Sequence, residues 1–343
     1  MSSAFCVPCK MEVKYLIRYF DLFAGIGGFR AGLDRAGGFQ CVGHCEIDKY
    51  ADASYRAIHA IREEECYYPD ARKIDPGAMP DFDLLCAGFP CQPVSLAGKR
   101  RGFADPRGAL FFEIARLAEA RRPAYLWLEN VVGLLSHDQG RTFCAILTTL
   151  HDLGYGLEWM VLNSALFDTP QFRRRVFLIG YLDPRCAGQI FPIFGTGGKA
   201  LVQILSGHQG ARVYDPAGVA CTQTAGAGGM GGKTGLYLVD LCVGAPRRTD
   251  LVRCLTARYG QTTLSNHPRE RSGVLCGGRI RRLMPRECLR LQGFAEDQID
   301  RLLAITSDTQ AYKQAGNSVT VNVIEAIGRR LRAADAELRR DAA

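Results

Sequence analysis

Nowhere in its 343 residues does the chain carry an apolar run long enough to cross a bilayer. Its start also lacks the charged and then apolar pattern of a secretory signal. The expectation is a cytoplasmic protein with no membrane part. There are 14 cysteines, which in a small secreted chain would suggest a disulfide framework, but without a signal reduced thiols are the simpler reading. Cys6 and Cys9 have half of a zinc spacing, and no second Cys/His pair stands at the matching distance, so no metal is expected. A glycine is missing too. The segment Asp21 to Phe29 has a strand, then Gly25, Gly27 and Gly28, then a helix, yet Arg30 stands where a dinucleotide fingerprint would have its third glycine. That excludes a pyrophosphate ligand and, with it, a nicotinamide dehydrogenase.

What is present is ordinary globular composition, 47% hydrophobic and 23% charged, enough for one large domain or two modest ones. The net charge of +8 leans toward an anionic partner. Residues 185–280 hold eleven Lys and Arg against four Asp and Glu, so they carry +7 of it, with 18 of the 38 glycines. One region is therefore basic and loop-rich, and the rest is nearly neutral.

The chain is organised around Ala87-Gly88-Phe89-Pro90-Cys91-Gln92-Pro93-Val94-Ser95. The apolar run Phe82 to Cys86 reads as a buried strand that stops at a Gly/Pro turn. Such a turn presents the next side chain, Cys91, at the carboxyl edge of a sheet, where open α/β sheets bind ligands. Lys99, Arg100, Arg101 and Arg107 follow in a loop hinged by glycines, and cationic neighbours favour the nucleophilic thiolate. The plain alternative is a packing cysteine at a strand end.

Other strand ends also carry polar groups. Cys41 to Cys45 reads as a second strand ending in Glu46-Ile47-Asp48. An acidic residue there, about twenty residues past the glycines, suits a ribose diol. Glu46 is assigned to the ribose, and Asp48 caps the helix read at 49–61. Asp70, after Tyr67-Tyr68, suits an adenine amino group or starts a turn before Pro76. Glu129 follows the buried run Tyr125 to Leu128, and desolvation there raises its pKa and favours the neutral acid; a solvated strand-end glutamate is the alternative. In Gln171-Phe172-Arg173-Arg174-Arg175, Arg173 and Arg175 share one face at a strand entry and suit an anion or a carbonyl oxygen, unless they are a plain charge run. The last helix is read over 318–334.

With these residues in hand, the chain resembles the bacterial, restriction-modification kind of DNA cytosine-5 methyltransferase. The matching blocks are DLFAGIGGF (21–29), GFPCQPVS (88–95), ENV (129–131), QFRRR (171–175), PRECLRLQGF (285–294) and YKQAGNSV (312–319), in the family's order. The resemblance implies a Rossmann-like α/β methyltransferase fold with a mostly parallel sheet and helices on both faces. It places a catalytic and cofactor domain at 1–184 and 306–343, and a small, irregular target-recognition domain with its hinge at 185–305. It makes Cys91 the nucleophile, Glu129 the group at ring nitrogen 3, Arg175 the holder of the base carbonyl and Arg173 its companion nearer the backbone. For S-adenosylmethionine it implies Phe23, Gly25, Gly27, Gly28, Glu46, Ile47, Asp70, Pro90, Leu110, Asn317 and Val319. Ser95, Lys99 and Arg107 become contacts to phosphate or to the gap left by a flipped base. Arg258, Gln261, Thr262 and Thr263 have the donors and acceptors that base edges need.

The expected activity is methyl transfer from S-adenosylmethionine to carbon 5 of cytosine in double-stranded DNA, by a monomer. A cognate restriction endonuclease would act separately, or the enzyme would be an orphan or phage methylase. Two rivals remain at this point. An RNA cytosine methyltransferase of the same fold has less use for a long basic insertion. A non-catalytic DNA-binding module has no need of Cys91, Glu129 and Arg175 together.

Overall fold

A computed structural model describes residues 15–89, 109–195 and 283–341, together with the backbone of short strands at 203–205, 213–214, 239–240, 272–276 and 279–282. The first part alternates strands and helices: β1 (Ile17–Leu22), α1 (Gly28–Ala36), β2 (Phe39–Cys45), α2 (Lys49–Ile58), β3 (Cys66–Tyr68), β4 (Leu84–Gly88), α3 (Ala109–Arg121), β5 (Tyr125–Val131), α4 (Arg141–Asp152), β6 (Gly156–Asn163) and β7 (Arg174–Tyr181). These seven strands form one sheet in the order β3-β2-β1-β4-β5-β7-β6. The pairs among β1 to β5 are parallel, and β7 runs antiparallel to both β5 and β6. The fold is the mixed, mostly parallel α/β sheet that the sequence predicts.

Strand periodicity builds two cores from one sheet. Phe20, Leu22, Leu85, Ala87, Leu126, Leu128, Val176 and Leu178 face α3 and α4, meeting Phe111, Ile114, Leu117, Phe143, Ile146 and Leu150. Their neighbours Tyr19, Leu84, Cys86, Tyr125, Trp127, Phe177 and Ile179 face the other way. There they meet Phe29 and Leu33 of α1 and Val323, Ile324, Ile327 and Leu331 of the last helix, α8 (Val321–Asp341). A Cβ on Gly32 would collide with the Ile324 side chain, so α1 and α8 lie too close there for anything but glycine.

Between them come α5 (Pro285–Leu291), α6 (Glu296–Ile305) and α7 (Asp308–Asn317). The sequence reading set residues up to 305 apart with the small domain. Here Leu289, Leu291, Ile299 and Leu302 share a core cluster with Ile26, Ala31 and Ile58, and Arg301 donates to the carbonyl of Ile58. Residues 285–305 thus pack on α1 and α2.

Several element boundaries differ from expectation, among them the end of α2 at Ile58 rather than 61, and two differ because of partners that only the fold brings near. β5 continues through Glu129 and Asn130 to Val131, because these residues pair with Phe177, Val176 and Arg175 of β7. The last helix starts at Val321 rather than 318, since the Ser318 carbonyl is taken by Arg173 and Val319 lies against Gly28.

Arg30, the residue that displaces a dinucleotide glycine, turns inward. It grips Glu65 with Nη1 at 2.6 Å and Nη2 at 3.0 Å, and donates to the Ala60 carbonyl at 2.8 Å. The two side chains are only 7% and 1% exposed. Glu65 also accepts from Arg62 at 3.1 Å, so losing Arg30 leaves it one cationic partner. Stranding a buried charge completely costs about 3–5 kcal/mol, and Arg30→Met should lower the unfolding free energy by up to that amount in urea titration. A loss under about 1 kcal/mol would mean the pair is dispensable.

Candidate active site

The sheet order reverses between β1 and β4. From β1 the chain steps outward to β2 and β3, and from β4 it steps the other way to β5. A crevice opens at the carboxyl ends of strands flanking such a reversal. The segments leaving β1 and β4 are Phe23–Gly28 and the run starting at Phe89, the two stretches singled out in the sequence. Glu46 directly follows β2, Glu129 lies near the end of β5, and antiparallel β7 begins at the same edge.

The turn after β1 is fully fastened. Phe23, Gly25 and Gly27 have φ of 58°, 58° and 77°. Ala24 donates to the Cys45 carbonyl, Gly25 donates to Glu46 Oε2 at 2.7 Å, and Gly27 donates back to the Ala24 carbonyl. The other Glu46 oxygen accepts from the Asp48 amide at 2.8 Å. Burial pushes the Glu46 carboxyl up, while these amide donors pull it back. Nothing lies within 4 Å of a Cβ built on Gly25, and Ile47 is 68% exposed. An open glycine face, a fixed carboxylate and an exposed aliphatic side chain therefore stand together, which fits a nucleoside-bearing ligand. Asp48 caps α2 by accepting from Tyr50, as predicted, and also pairs with Lys313 at 2.6 Å.

Asp70 caps the single turn Ala71–Lys73 and pairs with Arg72 through both oxygens, which holds its carboxyl below the usual range. An adenine amino group there would share the carboxylate with Arg72. Asp21 is completely buried just before the turn, and neither of its oxygens is hydrogen-bonded among the described residues. Burial pushes its pKa far up, which favours the neutral acid.

The second half of the site lies across the crevice. Glu129 Oε1 sits 3.0 Å from Arg175 Nε, each side chain about one-tenth exposed. Burial raises the Glu129 pKa against the pull of Arg175 and Arg173. A Cβ on Gly88 would have Glu129 Oε2, Val319 and Phe29 as its neighbours at 3.6–3.9 Å. Asn130 donates to the Phe89 carbonyl at 2.9 Å and accepts from Val131, so it pins the chain immediately before Pro90.

As predicted, Arg173 and Arg175 are buried while Arg174 between them is exposed. Arg173, expected as the companion of Arg175 nearer the backbone, puts Nη2 on the carbonyls of Gly316 (3.1 Å) and Ser318 (2.8 Å). These bracket the exposed Asn317. Val319 meets Gly28 from below and Gly88 from beside it. The far end of the chain is thus clasped into the crevice, as the placement of Asn317 and Val319 required. Leu110 opens α3, half-buried. Pro90, Cys91, Ser95, Lys99, Arg107, Arg258, Gln261, Thr262 and Thr263 lie outside the described residues. The role of Asn130 was carried by the block 129–131 without being read from it.

The sequence profile described as C-5 cytosine-specific DNA methylase matches residues 17–196 and 239–333. The chain belongs to this family. It is 36% identical over 337 residues to the type II methyltransferase M.NlaX of Neisseria lactamica, covering 93% of this chain and 97% of the relative. To the type II methyltransferase M.HhaI of Haemophilus parahaemolyticus it is 33% identical over 349 residues, covering 91% and 93%. Among solved structures it is similar to DNMT2 of Spodoptera frugiperda, with a TM-score of 0.63 at 17% identity over 92% of this chain and 99% of that one. That likeness concerns the fold. The protein is a DNA cytosine-5 methyltransferase by family, and the family implies use of S-adenosylmethionine. Among the described residues no helix is long and apolar enough to cross a membrane, and no cluster of His, Cys, Asp or Glu could hold a metal.

The raised pKa of Glu129 makes a prediction. The folded state holds this proton more tightly than the unfolded one, whose carboxyl titrates near about 4.3. The stability it contributes is complete below that pH and is lost as pH rises through the folded value. Glu129→Gln cannot titrate. The unfolding free energy of the native protein minus that of the variant should therefore fall as pH rises above about 4.3. A difference that stays flat or rises would rule out a proton held by burial.

Proposed function

We propose that the chain methylates carbon 5 of a cytosine flipped out of a specific double-stranded DNA sequence, with Cys91 as nucleophile. The observation that carries this reading is the buried Glu129–Arg175 pair beside the end of β4, with Phe89 pinned two residues before Cys91. The cationic run after Cys91 favours its thiolate. Addition of the thiolate to carbon 6 forms the carbon–sulfur bond and pushes electron density toward ring nitrogen 3 and carbon 5. The Glu129 carboxyl, driven toward its neutral form, donates to nitrogen 3 and Arg175 holds the ring carbonyl. Bound S-adenosylmethionine supplies an electrophilic methyl group and leaves as S-adenosylhomocysteine. Loss of the carbon 5 proton then restores the double bond and expels the thiolate.

Glu46, Ile47 and the glycine turn, with Phe23, Asp70, Pro90, Leu110, Asn317 and Val319, form the cofactor side. Arg173 serves this site by holding 316–318 in place. Base flipping is needed because carbon 5 chemistry cannot proceed within the stack. Ser95, Lys99 and Arg107 contact phosphate or the gap, while Arg258, Gln261, Thr262 and Thr263 read base edges. Relatives named as type II methyltransferases, matched along nearly their whole length, support the modification half of a restriction-modification system. An orphan phage methyltransferase of phage SPR also matches, at 28% identity, so a paired nuclease is not required by the likeness.

A duplex carrying 5-fluorocytosine at the target tests the reading, because fluorine cannot leave as a proton. The native protein should be trapped as a covalent complex, and Cys91→Ser should bind DNA without trapping. Methylation of tRNA in preference to duplex DNA, or an untrapped native protein, would overturn it.

A further inference from the structure

The turn between β1 and α1 has a third fastening that the family motifs do not touch. Its first two run to β2, through the Cys45 carbonyl and the Glu46 carboxylate. The third comes from the end of α2, where His59 Nε2 lies 3.2 Å from the Ile26 carbonyl. A carbonyl only accepts, so Nε2 carries the proton and the ring is the neutral Nε2–H tautomer. His59 is 5% exposed, and burial pulls its pKa down to about 3, which keeps that tautomer at working pH.

The ring also shapes the turn by contact. A Cβ on Gly27 would collide with Nε2 and Cδ2 of His59 and with the Tyr55 ring, so the backbone lies directly against the Nε2 edge of the imidazole. Beneath His59 sits Tyr55, centroids 4.8 Å apart, and beneath Tyr55 sits His44, stacked at 4.1 Å. His44 is held in turn by Asp52 at 2.8 Å. The Tyr55 hydroxyl meets Arg30 at 3.5 Å, and Arg30 is locked to Glu65. This column has no freedom to move away from the turn without breaking a buried polar contact.

We infer that His59 is a positioning residue for the cofactor: its Nε2–H holds the Ile26 carbonyl and so sets the Gly25–Gly28 backbone that receives S-adenosylmethionine. This rests on the proposed assignment of that turn to the cofactor. His59 touches neither base nor methyl, so its effect belongs to cofactor affinity rather than to the chemical step.

Two substitutions separate the hydrogen bond from the packing. His59→Phe keeps a ring under Gly27 and removes the donor. His59→Gln keeps a donor of similar reach. Binding of S-adenosylhomocysteine is read by calorimetry on the full chain, with thermal unfolding of the unliganded variants alongside. His59→Phe should weaken binding about tenfold, the size of one lost hydrogen bond, and should raise the KM for S-adenosylmethionine far more than it lowers kcat. His59→Gln should bind within about threefold of the native protein. Native-like affinity in His59→Phe, or equal losses in both variants that follow their melting temperatures, would overturn the inference and leave His59 a core side chain. A native protein that fails to bind S-adenosylhomocysteine would instead overturn the cofactor assignment itself, and this inference with it.

Discussion

Everything at the site depends on β1 and β4 lying side by side as parallel neighbours. Their register sets Leu22 opposite Ala87, so the two chains leave the sheet at one level. One exit becomes the glycine turn and the other becomes Phe89 and the run to Cys91. Had either strand been elsewhere in the sheet, the carboxylate on β2 and the carboxylate on β5 would serve separate surfaces. The connections run outward from this seam in opposite directions and leave a crevice between them.

Closure of the crevice is the work of the carboxyl-terminal segment. Residues 316–319 lie almost 300 positions after the glycine turn, yet three elements hold them there. Arg173 takes two of their carbonyls, Gly28 leaves room for Val319, and Lys313 and Gln314 bind Asp48 and the Tyr50 carbonyl at the start of α2. A single buried arginine just before β7 therefore links the strand that carries Arg175 to the end of α7, where Asn317 lies. The side of the crevice at Glu129 and Arg175 and the side at the glycine turn are mechanically one piece.

Burial does the electrostatic work. Desolvation drives Asp21 and Glu129 toward their neutral forms against the pull of nearby arginines, and drives His59 the same way with the Arg30 cation reinforcing it. Arg30 and Glu65 form a buried ion pair behind the turn: the guanidinium spans both Glu65 oxygens and also reaches the Ala60 carbonyl and the Tyr55 hydroxyl, and Arg62 shares the carboxylate. Asp21 and His59 lie at the glycine turn and Glu129 at the end of β5, with this pair behind the turn as a strut.

By itself the sequence determined the alternation of strands and helices, the glycine turn that leaves β1, the cap at Asp48, the shared face of Arg173 and Arg175, and the raised pKa of Glu129. All of these are local. Periodicity, a glycine at a turn, or a carboxylate after an apolar run can be read within a dozen residues. Tertiary structure alone decided the rest. The extension of β5 through Val131 follows from pairing with β7, and the late start of α8 follows from a carbonyl given to Arg173. Residues 285–305 join α1 and α2 because their apolar faces find Ile26, Ala31 and Ile58. His59 reads as one more half-apolar position on α2, and Arg30 reads as a missing glycine. Their roles come from partners 33 and 35 residues away. No pattern along the chain encodes such a pairing, since it exists only once the sheet has brought the end of α2 beneath the turn.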